Sequence, residues 1–224
     1  MSRGRLAAAV LWRLAAMPVV VGGLLLLPAG TWRWWQAWAF LAVFFVPSLA
    51  ITLYLLAREP ELIVRRLRRR EPERQQQIGQ SVLGALLVLG LVVAGLDHRY
   101  GWSAVPAPLV LAADAVILGG YLLIFRVFQE NRFAGSTVEA EAGQQVISSG
   151  PYAVVRHPMY LGALFIFLAM PFALGSYWTL PIFLLFPLGL GLRIRTEEAV
   201  LRRELSGYAE YAQKVRWRLL PGVW

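Results

Sequence analysis

Arg156, His157 and Tyr160 lie within five residues of one another in the run Gly150-Pro151-Tyr152-Ala153-Val154-Val155-Arg156-His157-Pro158-Met159-Tyr160-Leu161-Gly162, at the mouth of a long apolar stretch. That stretch, Met159–Leu192, carries no charge over 34 residues and ends in Arg193-Ile194-Arg195-Thr196-Glu197-Glu198. One hydrophobic excursion therefore returns two polar clusters to the same membrane face. Cations, acids and phenols gathered at a bilayer edge suit a small charged cofactor.

Each cluster also has a plainer reading. Proline is favoured at the first position of a helix, where its missing N–H would have no intrahelical partner, so His157 falls at the cap of a helix beginning at Pro158. The positive end of such a helix attracts an anion such as a carboxylate, and Tyr160 lies beside that end. The alternative is a proline-started helix with interfacial Arg, His and Tyr. In the second cluster, Arg193 meets Glu197 at i+4, and Arg195 reaches Glu198 at i+3. Surface ion pairs of that kind are common and weak. Arg193, however, directly follows the uncharged run, and a charge at bilayer depth costs about 2.5–3.5 kcal/mol, so it calls for a partner or a task. Tyr208 and Tyr211 follow, as interfacial packing or as a third wall of a site. Asp114 lies alone inside an apolar segment, where it either has a role of its own or pairs with Arg126 or the backbone.

The elements that position these residues are membrane helices. A span needs about 20 apolar residues. Leu6–Leu27, Trp34–Ala57, Ile78–Leu96 and Ala104–Phe128 qualify. Met159–Leu192 would be roughly 50 Å of helix, too long for one ~30 Å crossing. Gly175-Ser176 near its middle, with Pro171 and Pro181 on either side, predicts a helical hairpin with short, tilted arms. The fold class is therefore all-α and polytopic, with about six transmembrane helices. Residues 1–128 form four N-terminal spans, and residues 129–224 a core with a loop, the hairpin and a C-terminal helix. Arginine is dense at the N-terminus, in 58–74 and from Arg193 onward; six spans put all of these on the cytosolic side. A cleavable signal peptide fits poorly, because the first apolar run is long and interrupted by Arg13.

Composition narrows the function. The chain is 58% hydrophobic, contains nine Trp and no Cys, and carries a net charge of +9. Without cysteine there are no disulfides, thiolate metal sites or catalytic thiol. The two histidines, His98 and His157, are far apart, so no metal is expected. The arginines flank apolar spans, which argues against nucleic acid as a partner. Their predominance over lysine, with abundant alanine, suggests a GC-rich bacterial genome and hence a cytoplasmic membrane. Nucleotide loops of the Gly-x-Gly-x-x-Gly and Walker types are missing, as is a Gly-x-Ser-x-Gly elbow. Gly119-Gly120 is as readily an internal helix contact as a dimer face, so oligomeric state stays open.

Gly150-Pro151-Tyr152, Arg156-His157-Pro158-Met159-Tyr160-x-Gly162, Arg193 with Glu197-Glu198, and Tyr208-x-x-Tyr211 together resemble the integral-membrane methyltransferases related to isoprenylcysteine carboxyl methyltransferase. Phosphatidylethanolamine methyltransferases share a looser form of the pattern. The resemblance covers about residues 126–224; Leu205-Ser206-Gly207-Tyr208 is one residue shorter than the usual Phe-Gly-x-x-Tyr. It implies S-adenosyl-L-methionine as cofactor, held on the cytosolic side. Gln144, Gln145, Val146 and Ile147 then fall on the loop that backs the cofactor. Tyr152, His157, Pro158, Met159 and Tyr160 fall on its main binding segment, and Glu197 on a cofactor-contacting acid with a catalytic part. Arg193 falls on the arginine that holds the substrate near the methyl group, with Arg195 as the other candidate. The expected acceptor is an amphipathic, lipid-like or prenyl-like molecule, reached from membrane lipid. Carboxyl O-methylation is favoured: a carboxylate is already ionised at neutral pH, whereas an amine arrives protonated and needs a base such as Glu197 or Glu198. The rivals are phospholipid amine N-methylation, an NADPH-dependent sterol-type reductase, and a small transporter or non-catalytic membrane protein. A transporter should carry polar groups and broken helices near the midplane.

Overall fold

The structure, a computed structural model, describes residues 3–68, 74–131, 133 and 145–224. Its described elements are all helical. They are α1 (Arg3–Ala29), α2 (Trp35–Arg58), α3 (Pro60–Arg68), α4 (Arg74–Tyr100), α5 (Ala107–Glu130), α6 (Pro158–Ala173), α7 (Leu180–Phe183), α8 (Phe186–Glu204) and α9 (Tyr208–Lys214), with 3-10 turns at Gly150–Ala153 and Tyr177–Thr179. Among the described residues, five stretches are long and apolar enough to cross a membrane: Trp12–Ala29, Trp35–Arg58, Gln77–Tyr100, Ala107–Glu130 and Tyr177–Glu204. Pro158–Ala173 is apolar but shorter. The chain is a polytopic membrane protein, and the expected hairpin is present with unequal arms. Its second arm does not stop at Leu192. It continues as α8 through both arginines and both glutamates, because Arg193–Glu204 contains no residue that breaks a helix.

The bundle is held by an apolar centre that includes Leu25, Trp34, Phe40, Leu91, Ile117, Met170, Phe183 and Phe186. Large apolar side chains such as Trp12, Val19, Leu27, Leu122 and Leu188 remain exposed, as lipid-facing residues do. In lipid, helices associate through close packing rather than a hydrophobic drive, so small residues mark the tightest contacts. α5 and α6 cross at such a place. A Cβ on Gly120 would lie 2.7 Å from the Gly162 carbonyl oxygen, and one on Gly162 would lie 2.8 Å from that of Gly120. Gly120 is thus an internal contact, while Gly119 has open space beside it.

The two ends of the bundle differ. At one end, Trp102 meets Trp178 at 6.0 Å and Trp34 stacks on His98 at 4.7 Å. This end joins the α1–α2 turn, the α4–α5 connection and the hairpin turn. Trp32, Trp35, Trp38, Trp102 and Trp178 are all exposed, as suits indole rings at headgroup depth. The turn is pinned from α4. Asp97, buried at 1% exposure, accepts hydrogen bonds from the hydroxyls of Ser103 (2.6 Å) and Ser176. Gly175 turns the chain there with φ +72°, a conformation open chiefly to glycine. The opposite end gathers the polar motif residues.

Candidate cofactor and acceptor site

Pro158 opens α6 and His157 is its N-cap residue, as the proline rule predicts. The segment before it is anchored by the C-terminal tail. The Arg156 amide donates to the Trp217 carbonyl (2.9 Å) and the His157 amide to that of Arg218 (3.0 Å). This pairing fixes where both side chains point. The Arg156 guanidinium is buried and donates from Nε to Glu198 Oε1 at 2.8 Å. Its Nη1 donates to the carbonyls of Ala212 (3.0 Å) and Val215 (3.1 Å), so one arginine ties α8 to the end of α9.

Glu198 is the hub of this network. His157 Nε2 lies 3.3 Å from Oε1, and Arg218 Nε donates to Oε2 at 3.0 Å. Arg195 does not fill the place expected for it beside Glu198. It is exposed and borders a 450 Å³ groove between α4 and α8, with Ile78, Gly189 and Thr196. Arg193 borders the same groove, but it also reaches a cavity between α1, α2, α5 and α6 that Arg195 does not line. The sequence offered no sign of Arg218, because nothing local links it to a glutamate twenty residues earlier.

Glu197 faces a different neighbourhood from Glu198. Tyr160 Oη donates to Glu197 Oε2 at 2.5 Å and accepts from Arg193 Nε at 2.8 Å. The expected Arg193–Glu197 association is thereby relayed by a phenol from α6. Glu197 Oε1 lies 3.9 Å from His157 Nδ1, and its side chain keeps 24% exposure. The His157 and Tyr160 rings stack at 5.8 Å. His157, Tyr160, Arg193 and Glu197 thus meet in one place. Met159 lies on the same turn of α6 and packs against an apolar cluster that includes Leu55, Ile63, Val127 and Phe128.

Three tyrosines form the neighbouring wall. Tyr152 Oη accepts from Asn131 Nδ2 at 2.9 Å, and Tyr211 Oη donates to the Tyr152 carbonyl at 2.7 Å. Burial pushes the Tyr152 phenol up to about 12 and raises Tyr208 and Tyr211 as well. All three therefore remain neutral at pH 7. Val146 packs against Tyr208, Tyr211 and Ala212, beside Ile147 and the exposed Gln145; Gln144 lies outside the described residues. Asp114 is far from this cluster. It is buried on α5, 16 residues before that helix ends at Glu130, about 24 Å along the axis. Arg126, twelve residues on, is also beyond its reach.

A cavity of about 630 Å³ opens beside Tyr160 and Arg193, within the ~300–1,000 Å³ typical of small-molecule sites. Its wall is largely apolar, with Leu14, Ile51, Leu55, Ile124 and Phe128 among its residues. It is bounded by α1, α2, α3, α4, α5, α6 and α8, so the N-terminal helices complete it. Tyr160 and Arg193 thus line a largely apolar space, and the Glu197 carboxylate lies one hydrogen bond beyond it, on the Tyr160 hydroxyl. This arrangement can hold a zwitterion or a sulfonium against Glu197 and the aromatic faces. S-adenosylmethionine has those features. The residues fit it on a further count: the buried Tyr208 hydroxyl has no hydrogen-bond partner among the described residues, and an unpaired buried hydroxyl is costly.

Comparison with known proteins places residues 109–206 under the family model described as phospholipid methyltransferase. The resemblance drawn from the sequence motifs is borne out over that segment. A 91-residue stretch is also 32% identical to the mouse Delta(14)-sterol reductase TM7SF2. That similarity spans 39% of this chain and 22% of the mouse protein, so the chain matches about a fifth of that relative's length.

Proposed function

We propose, from the premise that residues 109–206 carry a phospholipid methyltransferase segment, that this protein transfers a methyl group from S-adenosylmethionine to a lipid-like acceptor at a cytosolic membrane face, with carboxyl O-methylation as the reaction. The observation that carries the reading is the Arg193–Tyr160–Glu197 relay beside the apolar cavity. When bound, the cofactor would supply a methyl group activated on a sulfonium; the acceptor oxygen would take that methyl in line, with the neutral thioether S-adenosylhomocysteine as the leaving group. The protein's own task is to position and to exclude water. Glu197 would hold the cationic amino group, and Tyr152, Tyr160 and His157 would offer ring faces to the sulfonium. Arg193, oriented by Tyr160, holds the acceptor carboxylate through charge-assisted hydrogen bonds. The apolar wall keeps the acceptor's tail dry. No base is required, because the acceptor arrives ionised.

The arginine-rich ends of the spans support a cytosolic site, and the arginine- and alanine-rich composition supports a bacterial cytoplasmic membrane. The similarity to a sterol reductase favours a second reading, NADPH-dependent reduction of a polycyclic lipid by the same cavity. Incubation of purified protein and a membrane lipid extract with methyl-labelled S-adenosylmethionine separates the two. Transfer of label to a lipid ester, lost on alkaline hydrolysis, supports O-methylation. Alkali-stable label on an amine turns the chemistry to N-methylation. Unlabelled lipid together with NADPH oxidation supports the reductase.

A further inference from the structure

We propose that the gap between His157 Nδ1 and Glu197 Oε1 is a two-acceptor seat for a primary ammonium group, and that a proton on His157 shuts that seat. The inference rests on the methyltransferase reading and deepens it, because it makes cofactor binding depend on pH.

Glu198 sets the chemistry of the gap. Its carboxylate accepts from Arg156 Nε at 2.8 Å and from Arg218 Nε at 3.0 Å. Paired with two guanidinium groups it is an ion, and an ionised carboxylate can only accept. His157 Nε2 lies 3.3 Å from Glu198 Oε1, so the proton of that contact belongs to Nε2. A neutral imidazole has a single N–H, which leaves Nδ1 as a bare acceptor. Nδ1 lies 3.9 Å from Glu197 Oε1, too far for a hydrogen bond. Glu197 accepts from Tyr160 through its other oxygen, Oε2. Two acceptors thus lie side by side, one on a buried ring and one on a partly exposed carboxylate, and neither takes a hydrogen bond among the described residues.

A group that bridges them must donate twice. One nitrogen at about 2.9 Å from each atom spans the gap, and a primary ammonium carries three N–H donors. The α-amino group of S-adenosylmethionine is such an ammonium. A sulfonium has no N–H to give and is left to the ring faces. Protonation of Nδ1 turns that acceptor into a donor and adds a positive charge, which pairs with Glu197 in the ammonium's place. Proton and ammonium therefore compete. The seat is open while His157 is neutral, so affinity is full at high pH and falls as pH drops through the titration of the ring. The groups around the ring are Arg156 before α6, Tyr160 on α6, Arg193, Glu197 and Glu198 on α8, and Arg218 in the tail; Tyr208 of α9 acts on Glu198. Carboxylates, phenols and guanidinium groups, as classes, keep their charge between about pH 8 and pH 6, where imidazole changes its own.

The test compares S-adenosylhomocysteine with its deamino analogue, in which hydrogen replaces the α-amino group. Both are titrated calorimetrically into purified protein in nanodiscs from about pH 8 to about pH 6, for wild type and His157→Phe. The variant keeps a ring to stack on Tyr160 but has neither nitrogen. Wild type is expected to bind S-adenosylhomocysteine about tenfold or more weakly at the acid end, since one competing proton costs up to about tenfold per pH unit. The deamino analogue should lose less than about threefold over the same range. His157→Phe should bind S-adenosylhomocysteine about tenfold more weakly than wild type at the alkaline end, as for loss of a hydrogen bond to a charged group, and with no pH dependence. The comparison of the two ligands on wild type stands whether or not the variant folds. Binding of S-adenosylhomocysteine that does not change with pH, an equal fall for the analogue, or a pH dependence that survives in His157→Phe overturns the proposal. Absence of S-adenosylhomocysteine binding to wild type at every pH overturns the methyltransferase reading instead.

Discussion

Replacing the adjacent glutamates of α8 one at a time should separate architecture from chemistry. Glu198 accepts from Arg156 at 2.8 Å and Arg218 at 3.0 Å, and its side chain is 5% exposed, as is that of Arg156. Glu198→Ala would leave the Arg156 guanidinium buried with its Nε unpaired. Removing one partner of a buried pair costs about 3–5 kcal/mol, mostly as the desolvation of the ion left behind. At ~2–4 °C per kcal/mol for a chain of this length, melting should fall by ~6–20 °C. Arg156 also donates to the Ala212 and Val215 carbonyls, so α9 and the tail should loosen together. Glu197 is different. It keeps 24% side-chain exposure and accepts one bond from Tyr160 that glutamine can still accept. Glu197→Gln should therefore cost no more than about 1 kcal/mol. Tryptophan-fluorescence melts in detergent, with limited proteolysis of the tail, read both. Equal losses for the two variants, or a larger loss for Glu197→Gln, would refute the division of labour.

Tyr160→Phe keeps the ring but removes the hydroxyl shared by Arg193 and Glu197; turnover should fall about tenfold or more with folding retained, as the loss of bonds to two charged groups implies, measured as labelled-methyl transfer. Gly162→Ala places a Cβ 2.8 Å from the Gly120 carbonyl oxygen and from Ile124 Cγ1. Forcing α5 and α6 apart should destabilise by about 1–3 kcal/mol, seen in thermal melts. Asp97→Ala strands the Ser103 and Ser176 hydroxyls at the opposite end. It should cost about 1–3 kcal/mol while S-adenosylhomocysteine affinity, measured by calorimetry, stays unchanged.

Much of the site was legible because its residues are local to strong signals. Pro158 announces a helix start, and that rule alone placed His157 at the cap and Tyr160 one turn in. The uncharged length of Met159–Leu192 required a reversal, and Gly175 supplied it. The partners of Glu198 were not legible. The i+3 rule pointed to Arg195, but Arg156, His157 and Arg218 reach that carboxylate from a loop, a helix cap and the tail. Tertiary contacts between segments twenty and forty residues apart leave no periodic trace. Asp97 directly follows the apolar Ile78–Leu96 span, and nothing in its local sequence marks it as buried. Its burial follows from the hairpin turn folding back over α4, which no local pattern reveals. The cavity was invisible for the same reason, since its wall is drawn from seven helices.

The central claim is that the Tyr160–Glu197 neighbourhood binds a methyl-donor cofactor. Isothermal titration of the wild-type protein with S-adenosylhomocysteine, repeated on Glu197→Gln and with NADPH in its place, tests it most directly. The account predicts saturable heat at one site per chain, sharply reduced in the variant, and none from NADPH. Saturable NADPH binding with no response to S-adenosylhomocysteine would contradict it.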